Sequence, residues 1–499
     1  MSVLVDLIST LTKGEQQDFV RFLANRNKRS DTRNTALFRE LASRNEGRIK
    51  QEIGSNAYNV LKKRLSDSLQ EFVAGNTFKG EVTDEISVIK QIMVARKLFV
   101  HENHISGFKV LKKAETAAYE LQHYSLLNEI YHTYVEYSYH TSSPNQEEIF
   151  EKFEINKSEF LHQERLNMAY AAIRKAFHAI EYHSEDIDLK ELIQENFDRF
   201  NIPDDQRYSF KTLYHIAQIA DITGAYSKDY YSVDIFFAEK VQELKGGPGD
   251  TEKFLNYHID VLYMIANIYF RKKDFTQSAR HLEEMHVQMK RFDRRYYYDF
   301  YIRYANLKSL NSNFTDDYAG SLELLNELID SGKYKEDQLY NPLLALAMIR
   351  FQQEDLNAVK QIISKFHRSD LWYERKNGRE WTLQLKYIEI LLYIELGEVD
   401  FVDARITSLM RKYGDLFKSD PNNHVLSFLK CVKAYYHEPS IATTDEFKER
   451  VEGSIKWKPV EQEDIFLMCF YAWLKSKMDG TPIYSTTLDL VRAKYDSEL

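Results

Sequence analysis

Three histidine pairs are the residues whose type and spacing come nearest to a reactive centre: His101 with His104, His178 with His183, and His281 with His286, the last two pairs with glutamates nearby. Two imidazoles share one face of a helix, as a metal requires, when they stand three or four residues apart. Only His101 and His104 meet that spacing, and they fall at a turn, so all three pairs read as surface or partly buried histidines. The chain has neither G-x-G-x-x-G nor G-x-x-x-x-G-K-[ST], and Gly246-Gly247-Pro248-Gly249-Asp250 leads into no Lys-Ser or Lys-Thr that would complete a phosphate loop. A G-x-S-x-G nucleophile elbow is also missing from the sequence. Cys431 and Cys469 are the only cysteines. They support neither a disulfide framework nor a Cys-based zinc site, and they suit a reducing compartment. The expectation is a protein without catalytic centre, metal or cofactor.

Binding chemistry is better represented. Arg294-Arg295-Tyr296-Tyr297-Tyr298-Asp299-Phe300-Tyr301-Ile302-Arg303-Tyr304 places Tyr297, Phe300, Tyr301 and Tyr304 on one helical face with arginines at its edges. Such rings either fill a core or line a groove for a peptide, where Tyr and Arg give large contact area at small entropic cost. The candidate contacts are Arg294, Arg295, Tyr297 and Tyr301. A second segment, Trp372 to Trp381, adds Trp372, Arg375 and Arg379 around an exposed turn at Lys376-Asn377-Gly378. A rival class of partner, nucleic acid, is suggested by Arg26, Lys28, Arg29 and Arg33 in one segment and Lys62, Lys63 and Arg64 on a helix. Those last three also fan around the helix as charges on any solvated face would.

The elements that position these residues are helices. Only 17 Gly and 8 Pro punctuate 499 residues; no Pro precedes Pro144 and no Gly lies between Gly107 and Gly224, a distribution that suits uninterrupted helix. Residues 1–75 carry 13 Lys and Arg against 9 Asp and Glu, a net of +4, which leaves −13 on the rest of a chain whose total is −9. The basic head reads as a cluster of about four helices, the last with Val60, Leu61, Leu65, Leu69 and Phe72 as its apolar stripe. Recurring helix pairs follow, and the sharpest break is Gly246 to Asp250. The expected division is 1–78, a basic helical domain; 79–245, irregular hairpins; and 250–499, more regular ones. The apolar start MSVLVDLISTL carries Asp6 and no basic leader, and no stretch reaches the roughly 20 apolar residues of a membrane span, so a cytoplasmic protein without membrane span is expected.

Val261 to Met285 packs two short amphipathic helices and a tight turn into one unit. Ala266 and Tyr269 stand on the first helix, Lys273-Asp274-Phe275 in the turn, and Ser278, Leu282 and Met285 on the second. This pattern resembles a tetratricopeptide repeat (TPR), with Lys273 where that family prefers Gly and no closing Pro. Leu344 to Phe366 resembles it again, through Ala347, Glu354-Asp355-Leu356 and Val359, as does Tyr387 to Met410, through Gly397-Glu398-Val399 and Val402. Weaker echoes surround Asn103-His104-Ile105 and Asp317-Tyr318. The units lie further apart than the ~34 residues of the ideal repeat. The resemblance implies an all-α protein, a right-handed superhelix of about ten or eleven hairpins, that holds a protein or peptide partner along its concave face.

Overall fold

The computed structural model describes residues 3–11, 13–26, 32–43, 48–80, 84–183, 189–204, 207–224, 233–247, 250–419, 425–454 and 463–492. Every element among them is a helix, and none is long and apolar enough to cross a membrane. The chain forms two compact units, Met1–Glu164 and Arg165–Leu499. Their division falls inside the helix Gln146–His183, and the expected boundaries near residues 78 and 245 lie within the units.

The first unit holds two separate cores. One gathers Leu4, Phe19, Leu37, Leu65, Leu69 and Phe72 from the helices between Val3 and Gly80; the other gathers Val88, Phe99, Phe108, Leu111 and Ile130 from the helices that follow. On the helix Ser55–Gly80, Leu61, Leu65, Leu69 and Phe72 are buried, but Val60 is exposed and leaves the expected stripe. Each residue advances the helix by 100°, so the neighbour of an inward leucine turns off its face.

One local device joins helix to helix in both units. At these junctions the residue two before the new helix takes a left-handed φ: Glu102 (60°), Gln122 (54°), Lys273 (60°), Asp316 (74°), Glu354 (59°) and Gly397 (69°). The amide after it then reaches back to the last turn of the preceding helix, as Asp274 N does to Tyr269 O (3.0 Å), Asp317 N to Ser312 O (2.8 Å) and Asp355 N to Arg350 O (3.0 Å). This satisfies carbonyls that a helix end would otherwise orphan. The same aspartates cap the next helix, accepting from Gln277 N, Gly320 N and Ala358 N at 3.0, 2.9 and 3.2 Å.

Across two of these turns, residues twelve apart make contact. Ala266 and Ser278 are fully buried between Leu255–Arg271 and Phe275–Met289, with Ser278 Oγ donating to the Ala266 carbonyl at 2.7 Å. Ser309 and Ser321 repeat the arrangement between Tyr297–Phe314 and Tyr318–Asp330, with Ser321 Oγ donating to Ser309 Oγ at 3.2 Å. Ala347 with Val359 and Ile390 with Val402 occupy the same places in the next two pairs, and Ala95 with Gly107 does so in the first unit. The small side chains of Ala266 with Ser278 and Ser309 with Ser321 let the two helices of each of those pairs approach closely. The turn recurs about every forty residues in the second unit, which is wider than the TPR period.

The second unit departs from a simple row of pairs in two ways. A short extra helix, Asp370–Asn377, stands between the pair ending at Ile363 and the helix Arg379–Glu395. The last two helices, Ile465–Asp479 and Ile483–Arg492, fold back over the turn ends of much earlier pairs. Lys273 Nζ donates to the Glu463 carbonyl, Tyr484 Oη to the Asn313 carbonyl at 2.8 Å, and Arg492 to the Phe314 carbonyl at 3.3 Å. Trp473, fully buried, donates to Glu395 at 2.6 Å, and Lys477 reaches the same carboxylate at 3.0 Å. In an open stack each repeat touches only its neighbours; here one core runs from Leu166 to Val491. These contacts tie the carboxyl-terminal helices to the turn ends near Lys273 and Phe314, while Asp316, Asp317 and Glu354 remain exposed.

Candidate partner-binding surface

The loops between successive pairs lie at the opposite ends of the helices from the turns, and they carry the candidate residues. In the loop before Tyr297–Phe314, three consecutive residues, Phe292, Asp293 and Arg294, take φ of 48°, 54° and 61°. Left-handed backbone costs an L-residue roughly 1–2 kcal/mol, so the turn must be held from both sides. Arg291 donates to Asp250 Oδ1 at 2.6 Å and to Gln288 Oε1 at 2.7 Å, and Arg295 to Glu252 Oε1 at 2.6 Å. Arg295, expected as a partner contact, is thus a clamp on the preceding loop. The strained turn leaves Phe292 40% exposed, Tyr298 53% exposed and Arg294 exposed, with the Arg294 guanidinium 5.7 Å from the Tyr297 ring.

The expected aromatic face divides. Phe300 and Tyr304 are core residues, whereas Tyr297 and Tyr301 are half-buried and stacked at 5.2 Å. His286 sits between hydroxyls, its Nε2 3.3 Å from Tyr297 Oη and its Nδ1 3.4 Å from Tyr304 Oη. A neutral imidazole offers one donor and one acceptor, so one hydroxyl donates to it and the other accepts. Burial, helped by Lys290, holds its pKa below the usual histidine range and favours that neutral form. Tyr297 and Tyr301 therefore support the surface and offer ring edges, while Phe292, Arg294 and Tyr298 project from it.

The second segment is linked to the first through the loop before Tyr340–Gln352. Lys333 lies 5.1 Å over the Tyr298 ring, and Asp337 accepts from Lys376 at 2.9 Å. Trp372 is half-buried, edge-on to Tyr340 and Tyr373. Arg375 and Arg379 are exposed. Arg368, passed over by the sequence reading, stands 5.7 Å over the Trp372 ring. Its signal was legible in the basic run from Lys365 to Arg379, in which only Asp370 and Glu374 are acidic.

In the basic head, Lys28, Arg29 and the Arg26 side chain lie outside the described residues. Arg33, Lys63 and Arg64 are exposed, and Lys62 is half-buried against its helix. The helices Lys13–Arg26 and Arg33–Ala42 enclose a shallow groove of about 690 Å³, lined by Gln16, Gln17, Val20, Arg21, Phe38 and Arg39 among others. No spacing rule in the sequence announced it, because it arises where two helices meet.

His104 and His281, one from each of the two pairs whose side chains are described, pack against neighbouring rings. His104 stacks on His140 at 3.8 Å, and His281 is buried against Tyr269; the side chains of His178 and His183 lie outside the described residues. Among the described residues no group of three or more His, Cys, Asp or Glu is placed to hold a metal. The most deeply buried imidazole, His258, stacks on Phe210 at 3.9 Å with its Nδ1 3.7 Å from Asp250, too far for a hydrogen bond. Burial lowers His258 and His281 to about 4. No family model, curated protein or solved structure matches this chain.

Proposed function

We propose that this chain is a non-catalytic scaffold or adaptor, built of TPR-like hairpins, that holds a protein or peptide partner on the rim formed by the loops between its helix pairs. One observation carries the reading. Phe292, Arg294 and Tyr298 around one inter-pair loop, and Trp372, Arg375 and Arg379 on and beside the inserted helix Asp370–Asn377, are exposed or half-exposed on the same rim, joined by the Lys333 and Asp337 contacts. Trp, Tyr and Arg are the residue types that dominate binding energy where proteins meet. A strained loop clamped at both ends also arrives at a partner already ordered, which lowers the entropic cost of binding. The two cysteines are buried and unbridged, in keeping with the cytoplasm.

Affinity capture from native cells, read by mass spectrometry, tests this. Joint replacement Phe292→Ala, Arg294→Glu and Tyr298→Ala is expected to deplete a partner that the native chain retains, with helix content and melting unchanged. Equal capture by the folded variant removes the reading. A second reading, nucleic-acid association through the basic head, draws on exposed Arg33, Lys63 and Arg64. Nuclease treatment before capture separates it, since partners held through nucleic acid are then lost.

A further inference from the structure

The inserted helix Asp370–Asn377 interrupts the alternation of pairs, and its charges are distributed unequally between its inner and outer sides. Its two carboxylates are neutralised from neighbouring helices: Asp370 by Lys386 at 2.9 Å, and Glu374 by Lys412 at 2.7 Å. Lys376 is likewise paired, with Asp337 at 2.9 Å. Arg368, Arg375 and Arg379 are exposed and form no salt bridge among the described residues. Arg368 lies 5.7 Å over the half-buried Trp372 ring, and Leu371 beside it is 53% exposed. Leu371 and Arg375 stand four apart and share one helix face.

We propose that this inserted helix is a docking site for an acidic peptide with an apolar anchor, the anchor seated on Leu371 and Trp372 and its flanking carboxylates held by Arg368, Arg375 and Arg379. This rests on the reading of the inter-pair rim as the partner-binding surface and names the partner's chemistry. Guanidinium forks match carboxylates with paired hydrogen bonds, and among the described residues the three cations form no salt bridge. A nucleic acid would satisfy the guanidiniums too, but it offers no aliphatic anchor for Leu371, and the −13 outside residues 1–75 repels a long polyanion.

Fluorescence anisotropy on the full chain tests the proposal with three labelled probes: a peptide with Leu-Phe at its centre and Asp-Glu on each side, the same peptide with Asn-Gln in their place, and a single-stranded oligonucleotide. The acidic peptide is expected to bind about tenfold or more tightly than the amide peptide, a difference of about 1.4 kcal/mol. Arg375→Glu with Arg379→Glu, or Leu371→Glu alone, is expected to abolish that preference. Equal binding of the two peptides to the unaltered chain overturns the proposal without recourse to any variant. So does an unchanged preference in the folded double variant, or displacement of the acidic peptide by the oligonucleotide at equal concentration. If the peptide fails but the double variant still loses a native partner, the acidic chemistry falls and the rim reading stands; if that capture is also unchanged at both loops, both fall.

Discussion

The Tyr484 hydroxyl donates to the main-chain carbonyl of Asn313 across 171 residues of sequence. Arg492 does the same for Phe314, so carbonyls left open at the end of Tyr297–Phe314 are satisfied by the last helix of the described chain. A stack in which repeats touch only their neighbours tolerates loss of its final repeat; this one is expected not to. Deleting residues 465–492 should raise amide exchange throughout 297–352. Trp473→Ala should cost about 3–5 kcal/mol and Tyr484→Phe about 1 kcal/mol, read by denaturant unfolding. Unchanged protection at 297–352 in the truncated chain contradicts this closure.

Acid should loosen the neighbourhood of Asp250. His215, His258 and His281 are held neutral to about 4 by burial, whereas the unfolded chain takes up those protons near pH 6.5. The unfolded state then binds more protons than the folded one, so stability is complete above pH 6.5 and declines as pH falls toward 4. Melting temperatures between pH 7 and pH 4 should show that decline, and His258→Gln with His281→Gln should flatten it. An equal slope in the double variant assigns the acid sensitivity elsewhere.

Two left-handed turn residues should respond in opposite directions to glycine. Glu354 (φ 59°) is exposed, so Glu354→Gly relieves strain worth about 1 kcal/mol. Lys273 has nearly the same φ, but its amine holds the Glu463 carbonyl, and Lys273→Gly should give no net gain. Paired unfolding curves distinguish them; a gain of similar size at both would deny Lys273 its role in holding the carboxyl-terminal helices.

Gly107 lies twelve residues after Ala95, and a Cβ there would come 2.7 Å from Phe99 Cε1. That ring is stacked on Tyr137 at 4.3 Å and edge-on to Phe108 at 4.9 Å, so it has little room to yield. Gly107→Ala is expected to destabilise by about 1–3 kcal/mol. Gly75→Ala, on a helix with open space around the added atom, should instead stabilise by roughly 0.5–1 kcal/mol. Thermal unfolding of the two variants gives the comparison.

If the rim is the binding surface, the full chain should not retard a DNA or RNA oligonucleotide in a gel at low salt. A shift that weakens steeply with salt and disappears on neutralising Arg33, Lys63 and Arg64 would transfer the function to the basic head.

Much of the local architecture was legible in the residues. Lys273-Asp274, Glu354-Asp355 and Gly397-Glu398 marked turns, and Ala266 with Ser278 or Ala347 with Val359 marked close approach, because partners twelve apart across a short turn meet whatever the rest of the chain does. The candidate surface was legible only in part. Arg294, Arg375 and Arg379 are exposed as expected, but Arg295 is held by Glu252 and Tyr297 by His286. A sequence cannot reveal which of several adjacent Arg and Tyr residues finds an internal partner, since that depends on how the preceding helix and the loop before it pack against them.

The sequence by itself determined helix, turn and pairing, since hydrogen bonds within four or five residues and contacts across a short turn decide these. Only the tertiary structure decided that the carboxyl-terminal helices fold back onto turn ends far earlier in the chain. Those contacts are made largely to main-chain carbonyls of Asn313, Phe314 and Glu463. Every residue carries a carbonyl, so no pattern of side chains marks in advance which ones a distant helix will reach.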